Sequence, residues 1–332
     1  MHRFDSTERR LINEFQHAFP MVPRPYQAIG EQLGLAESAV LESFQSLQAA
    51  GVISRVGPVF SPGRVGCSTL AALAVPVADF EATARWISAL PETNHNYERE
   101  DTYNLWFVIT ASDDAHLQAI IGRIRDKYTY PMLVLPLLEQ FHIDLGFDLT
   151  ATEASAKTAC PSATTRSEPL SLTTDQRDII SQIQHGLPLV SEPYAVLWPD
   201  DPAKAQFAIE QLDAWQRGGV IKRFGVIVRH HELGYKENAM VVWDIPDDRV
   251  NTLARQMAAT PAVTLCYRRP RQLPTWPYNL FCMIHGKDRA TVHAAIAKLC
   301  DSVALTPYPM NVLFSKRRFK QRGARYVFDG RD

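Results

Sequence analysis

Apolar positions along this chain recur first with a helical period and then with a strand period. Leu11, Ile12 and Phe15 fall on one helical face, with Ser6 or Thr7 placed to cap it. The spacing predicts further short helices over 25–33 and 37–50, turned at Gly34, and GVISRVGPVF (51–60) reads as a strand. Three short helices and a strand make a winged helix-turn-helix pattern. Strands then follow at 68–75, 94–98, 105–110 and 132–142, with helices at 80–90 and 115–127 between them. That βαββαβ order predicts a four-stranded antiparallel sheet with both helices on one face, the ferredoxin-like arrangement.

The whole pattern then repeats. A shift of 168 residues lays Arg9, Ile12, Gln16 and His17 on Arg177, Ile180, Gln184 and His185, and GVISRVG (51–57) on GVIKRFG (219–225). Further on the shift grows to 175, matching Tyr103-Asn104-Leu105 with Tyr278-Asn279-Leu280, so the second copy carries extra residues around PRQLPTW (270–276). The second set of strands and helices is predicted at 238–245, 248–259, 263–268, 280–285, 288–301 and 307–314. The fold class is therefore α+β, a tandem duplication in which each half is a winged helix-turn-helix plus a ferredoxin-like domain. The boundaries predicted are 1–60 and 61–150 for the first half, a flexible linker at 151–172, then 173–228 and 229–332 for the second. The linker rests on ATEASAKTACPSATTRS (151–167), where 12 of 17 residues are Ala, Ser or Thr. The open sheet face of one copy is expected to be covered by the other.

Composition excludes more than it identifies. With 332 residues, 35 basic against 36 acidic, and 46% hydrophobic, the chain is an ordinary globular mixture without the basic excess of a nucleic-acid binder. No apolar run approaches the ~18 residues of a membrane span, and the polar MHRFDSTERR start has no signal core, so a cytoplasmic protein is expected. Cys67, Cys160, Cys266, Cys282 and Cys300 form no CxxC pair, which argues against disulfides and zinc ribbons. No metal site is expected, since HxH, HExxH and Cys/His quartets are absent, and GxGxxG and GxxxxGK[ST] loops are absent too.

DNA binding is disfavoured on local charge. No Lys or Arg lies between Arg24 and Arg55, the interval that holds the first recognition helix, whereas Glu31, Glu37 and Glu42 do. Positive charge gathers instead at Arg223, at Arg229-His230-His231, at Tyr267-Arg268-Arg269-Pro270-Arg271, and in the tail SKRRFKQRGARY (315–326). Aromatic residues such as Tyr267, Trp276 and Tyr278 are interleaved with it. Arginines beside flat rings suit a planar ligand bearing several carboxylates. A basic tail by itself reads as a solvated arm.

Helix-turn-helix followed by a ferredoxin-like sheet resembles the Lrp/AsnC regulators. HNYEREDTYNLWF (95–107), RFGVIVRHHELGY (223–235), YRRPRQLPTWPYNLFCMIHG (267–286) and the Lys/Arg tail ending in Tyr326 resemble more closely the siroheme decarboxylases, Lrp/AsnC-like proteins of d1-type haem biosynthesis. The first copy is similar to the D-type subunit and the second to the L- or B-type. The resemblance implies removal of the two ring acetate carboxyls of siroheme as carbon dioxide, giving 12,18-didecarboxysiroheme, by acid-assisted decarboxylation. It also implies that no cofactor is needed, because the macrocycle takes up the electrons, and that the iron belongs to the substrate.

On that resemblance His230 or His231 is the first choice of acid, with His95 the candidate of the first copy. Arg223, Arg229, Arg268 and Arg269 are expected to hold carboxylates, with Arg55 and Arg99 in that part on the first copy. Tyr267, Trp276 and Tyr278 would line the ring plane, and Tyr97, Asn279 and Lys316 complete the substrate-binding set. His285 is expected to meet the iron, give a proton or cap a strand end. One main pocket, built mostly by the second copy, is favoured. A transcription regulator and a non-catalytic tetrapyrrole carrier are the alternatives. Partners other than siroheme, whether a second copy of the chain or other haem-pathway proteins, stay open.

Overall fold

The computed structural model describes residues 4–143, 164–165, 169–228 and 237–328. The first half opens with α1 (Ser6–Glu14), α2 (Pro25–Leu33), α3 (Glu37–Ala49) and the wing strand β1 (Ile53–Phe60). Asp5, rather than Ser6 or Thr7, caps α1. Its carboxylate accepts from Glu8 N at 2.7 Å while Glu8 accepts from Asp5 N at 3.1 Å, a reciprocal box for which Ser6 and Thr7 stand one and two residues too late. Gly34 ends α2 with φ at +71°, a conformation that a side chain would strain. The second half repeats the unit as α6 (Thr174–Ile183), α7 (Pro193–Leu197), α8 (Pro202–Arg217) and β8 (Ile221–Val228), with a Thr173–Gln176 box in the place of Asp5–Glu8.

The two helix-turn-helix units share one core. Their wing strands β1 and β8 pair antiparallel with each other, and Leu11, Phe15, Phe44, Ile180, Leu212 and Phe224 belong to a single buried cluster. Tyr26 donates to Pro188 O of the other unit at 3.1 Å, and Phe19 lies 5.9 Å from Phe224. Wings used in this way hold the halves together.

The first ferredoxin-like unit comprises β2 (Cys67–Leu73), α4 (Phe80–Ala89), β3 (Thr93–Arg99), β4 (Leu105–Ala111), α5 (Asp114–Lys127) and β5 (Met132–Pro136), continued by β6 (Glu139–Ile143). After the two-residue β7 (Thr164–Thr165), the second has β9 (Glu237–Trp243), α9 (Val250–Ala258), β10 (Val263–Arg268), β11 (Leu280–Gly286), α10 (Arg289–Val303) and β12 (Met310–Gln321). Strand order is β5-β2-β4-β3-β12-β9-β11-β10-β6-β7. Since β5 and β6 are consecutive in the chain, the ribbon returns on itself and the two sheets face each other. Each sheet buries one face under its own helices and the other against its partner, where Ala72, Trp106, Leu133, Met240, Val242, Phe281 and Leu313 meet.

Two expectations change. The last strand runs to Gln321, because Ser315 to Gln321 pair with β3 of the first half; that part of the basic tail is strand, not a solvated arm. Most of the predicted linker lies outside the described residues, yet Thr164 and Thr165 pair with β6, and Leu170 donates to Arg64 O at 2.9 Å while packing on the helix-turn-helix core.

Candidate active site between the two sheets

Strand alternation decides which side chains meet. On β3, Asn96 points towards α4, donating to Ala84 O at 3.0 Å and Ser88 Oγ at 2.9 Å. His95, Tyr97 and Arg99 therefore face inwards, towards the other sheet. On β10, Cys266 turns to Ala254 O in α9 and Arg268 to Asp247 at 2.8 Å, so Leu265, Tyr267 and the following Arg269 face inwards. The two inner faces are built alike. His95 and Tyr97 lie near-parallel with centroids 6.3 Å apart, and the Arg99 guanidinium sits 5.6 Å from the Tyr97 ring centre. Arg269 lies 5.4 Å from the Tyr267 ring.

Each of these arginines crosses to the opposite half. Arg99 Nη1 donates to Leu313 O at 2.9 Å, and Arg269 Nη1 to Leu135 O at 2.5 Å. Burial lowers both guanidinium groups to about 10, with the neighbouring Tyr97 or Tyr267 opposing the shift, so both remain cationic near neutral pH. Among the described residues neither has a carboxylate within ion-pair distance, and Arg269 Nε is buried without a hydrogen-bond acceptor. A buried charge balanced only by carbonyls, a thioether and ring faces is prepared for an anionic ligand. Burial pushes the phenols of Tyr97 and Tyr267 up, with Arg99 and Arg318 opposing at the first and Arg269 opposing at the second.

The two faces differ in what surrounds this common pair. Where the first has His95, the second has Leu265. Arg318 on β12 is the register partner of Tyr97, and Gln140 on β6 is that of Tyr267. His285 stands on the inner face of β11, its Nδ1 3.1 Å from Thr264 Oγ1, two residues beyond the Met283 that lies 3.9 Å from Arg99. By the 175-residue offset its counterpart in the first half is Thr110.

Other candidates lie outside this cluster. Trp276 is 2% exposed and packs among Tyr103, Trp106, Tyr278 and Phe281 with centroids 5.0–6.3 Å apart, a wedge in the inter-sheet core. Tyr278 is half-buried at the margin of that wedge. Asn279 is buried and clamps the loop after β9, accepting from Ile245 N at 3.0 Å and donating to Ile245 O at 2.9 Å; Asn104 makes the same clamp on Val75. Arg268 and Lys316 point to the outer side, and Lys316 stands 3.8 Å from Glu98. Arg55 and Arg223 lie on the wing ribbon, where Arg223 donates to Gln16 O at 3.3 Å and burial lowers Arg55 to about 10, followed by the Arg223 charge. A Cβ at Gly323 would land on the Arg55 guanidinium, so the tail covers that arginine closely. Arg229, His230 and His231 lie outside the described residues.

Sequence reasoning chose Lys316 from the tail and passed over Arg318. Alternation alone would not single it out, because register shifts between Ser315 and Arg317 and between Arg318 and Lys320 let both Lys316 and Arg317 reach Glu98 and leave Arg318 opposite Tyr97. Among the described residues no group of three or more His, Cys, Asp or Glu is arranged to hold a metal ion, and no helix is long and apolar enough to cross a membrane.

Comparison with known proteins agrees with this architecture. The AsnC-like ligand binding domain model matches residues 64–142 and 232–320, and the Siroheme decarboxylase NirDL-like HTH domain model matches 8–53. The Siroheme decarboxylase NirDL subunit of Paracoccus denitrificans (strain Pd 1222) is 36% identical over 320 residues, covering 96% of this chain and 97% of the relative. The Siroheme decarboxylase NirD subunit of Stutzerimonas stutzeri is 50% identical over 145 residues, 44% of this chain and 95% of that subunit. In fold, the chain superposes on the siroheme decarboxylase NirDL crystallised with an iron-uroporphyrin III analogue with a TM-score of 0.70 at 23% identity, covering 97% of this chain and 94% of that one. Matched along almost its whole length, the chain belongs to the siroheme decarboxylase family.

Proposed function

We propose that the chain decarboxylates siroheme, and that the chemistry takes place at the inner-face cluster of His95, Tyr97 and Arg99 rather than in a pocket built mostly by the second half. The observation that carries this is the pairing of a buried, acid-free guanidinium at Arg99 with the only imidazole that either inner strand holds at this level. Siroheme is a flat polycarboxylate, and a relative of the same fold was crystallised with an iron-uroporphyrin analogue. Arg99 would engage a carboxylate, and Tyr97 would pack on the ring plane. Arg318, the register partner of Tyr97, supplies a second cation from the other half.

In each decarboxylation the bond between methylene and carboxylate carbons breaks and carbon dioxide leaves. The electron pair left on the methylene carbon is delocalised into the macrocycle, and one proton converts that carbon to a methyl group. Nothing is oxidised or reduced, so no resident cofactor is called for, and one proton is consumed per carbon dioxide released. His95 would give that proton, its ring held by the stack on Tyr97. His285 is the second donor of this proposal. A reducing, cytoplasmic setting is part of it, in keeping with free thiols at Cys67, Cys266, Cys282 and Cys300.

The test is anaerobic incubation of the purified chain with siroheme, followed by mass spectrometry of the tetrapyrrole. Two successive losses of carbon dioxide are expected. A shifted ligand spectrum without mass loss would make the protein a carrier instead.

A further inference from the structure

Apart from the wing ribbon, the two ferredoxin-like sheets meet edge to edge at two junctions, the end of β12 on β3 and β6 on β10. Both have the same geometry. The residue before the buried inner-face arginine stands opposite the residue four places beyond the carbonyl which that arginine uses. At the first junction Glu98, before Arg99, is the register partner of Arg317, four places after Leu313. At the second, Arg268, before Arg269, is the register partner of Glu139, four places after Leu135. The geometry is conserved between the junctions and the charge is inverted. Both edge strands of the first half present an acid, and both of the second half present a base.

The side chains around the first junction follow the same rule. Arg317 reaches Glu98 at 2.7 Å and Glu81 at 2.5 Å, and Lys316 lies 3.8 Å from Glu98. Arg289 at the start of α10 grips Glu100 with two bonds, at 2.5 and 3.0 Å, which holds the Glu100 carboxyl below the usual carboxylate range. Each of these pairs between the halves joins an acid of the first half to a base of the second, while Arg289 also lies 3.7 Å from Glu237 of its own half. At the second junction Arg268 stands opposite Glu139 by strand register alone, and its ion pair is with Asp247 of its own half at 2.8 Å.

We propose that these inverted junctions form a charge code that makes each half select the opposite half, and that like halves of two chains are thereby kept apart. Pairing two first halves in this geometry would set Glu98 against Glu139 at both junctions, and pairing two second halves would set Arg268 against Arg317. Like charges directly opposite on antiparallel strands disfavour pairing, and opposite charges favour it. Single exposed ion pairs contribute little, so the arrangement acts through the difference between right and wrong partners more than through strength. The selection matters for the inner faces as well. Arg99 and Arg269 each donate to a carbonyl of the other half, so the pairing that the charges choose places both.

The experiment uses the full-length chain with a protease site set into 151–167, cleaved after folding. Isotope-labelled and unlabelled cleaved protein are mixed and followed by native mass spectrometry. The wild type is expected to exchange halves while forming only mixed, first-with-second pairs. E98R should weaken the mixed pair about tenfold and bring out pairs of first halves, since the substituted side chain would then face Glu139 at both junctions. Adding R317E should return the mixed pair to within about threefold of wild type, which a merely misfolded half would not do. The proposal is overturned if the wild type gives like pairs as abundant as mixed ones, if E98R leaves the mixed pair unchanged, or if R317E fails to restore it.

Discussion

The inner strands β3 and β10 are two answers to one backbone problem. Both carry a tyrosine and, two residues on, an arginine whose guanidinium crosses to a carbonyl of the other half. Only β3 adds a histidine, with a cation opposite its tyrosine; β10 has leucine and glutamine at those places. Duplication has kept the arginine–tyrosine frame in both halves and put a histidine beside it on β3 alone, while the second half carries His285 on the neighbouring strand β11. The difference teaches that the arginine–tyrosine pair goes with the shared fold, and it is why the proposal assigns the reaction's proton to the histidine that β3 alone carries.

The largest separation between the faces is expected from the arginines. R99M should lower kcat/KM for siroheme by about 100-fold, the worth of roughly one strong charge-assisted contact to a carboxylate. R269M, removing the same frame beside a leucine, should lower it less than about tenfold. Equal losses would break the comparison, because the faces would then be functional equivalents. Steady-state kinetics on the two variants, with circular dichroism to check folding, decides it.

A smaller effect tests the shared frame. Asn104 and Asn279 clamp Val75 and Ile245 through matching pairs of hydrogen bonds. N104A and N279A should each destabilise the chain by about 1–3 kcal/mol in denaturant melts, and by similar amounts, as loss of a buried clamp would. A large inequality would mean that the halves differ in scaffold and not only in chemistry.

The smallest effect concerns the junction strand. Lys320 Nζ donates to Ser88 O at 2.5 Å and Leu90 O at 2.9 Å at the end of α4. Burial, then the Arg322 and Arg325 charges, lowers its ammonium to about 8 from 10.5. Between those values the unfolded chain binds the proton and the folded chain does not, so this group's contribution to stability rises with pH. The cost of the charged form is fully present below about 8. K320M should therefore gain on the wild type at pH 7, and that advantage should shrink between pH 8 and 10 in denaturant titrations. A constant difference across the window would show that the lysine does not titrate there.

Much of this was legible in the sequence. The helical period at Leu11, Ile12 and Phe15, the βαββαβ order, and the repeat at 168 and then 175 residues define both halves, because each follows from side chains that must be buried. What was hidden depends on contacts between the halves. Tail residues 315–321 read as a charged arm because their hydrogen-bond partner, β3, lies over two hundred residues away. Arg268 and Arg269 look interchangeable in a run of letters. On a strand they face opposite sides, one to Asp247 and the other to the inner face. Trp276 and Tyr278 read as ring-stacking partners, and it is the inter-sheet wedge that takes up Trp276.

The central claim is that protonation happens at the β3 face. The most direct measurement is single-turnover decarboxylation of siroheme by H95A, with substrate binding followed by the tetrapyrrole spectrum in the same sample. The account predicts that binding survives while carbon dioxide release slows at least about 100-fold, the usual worth of a positioned acid. H95A releasing carbon dioxide at the wild-type rate would contradict it.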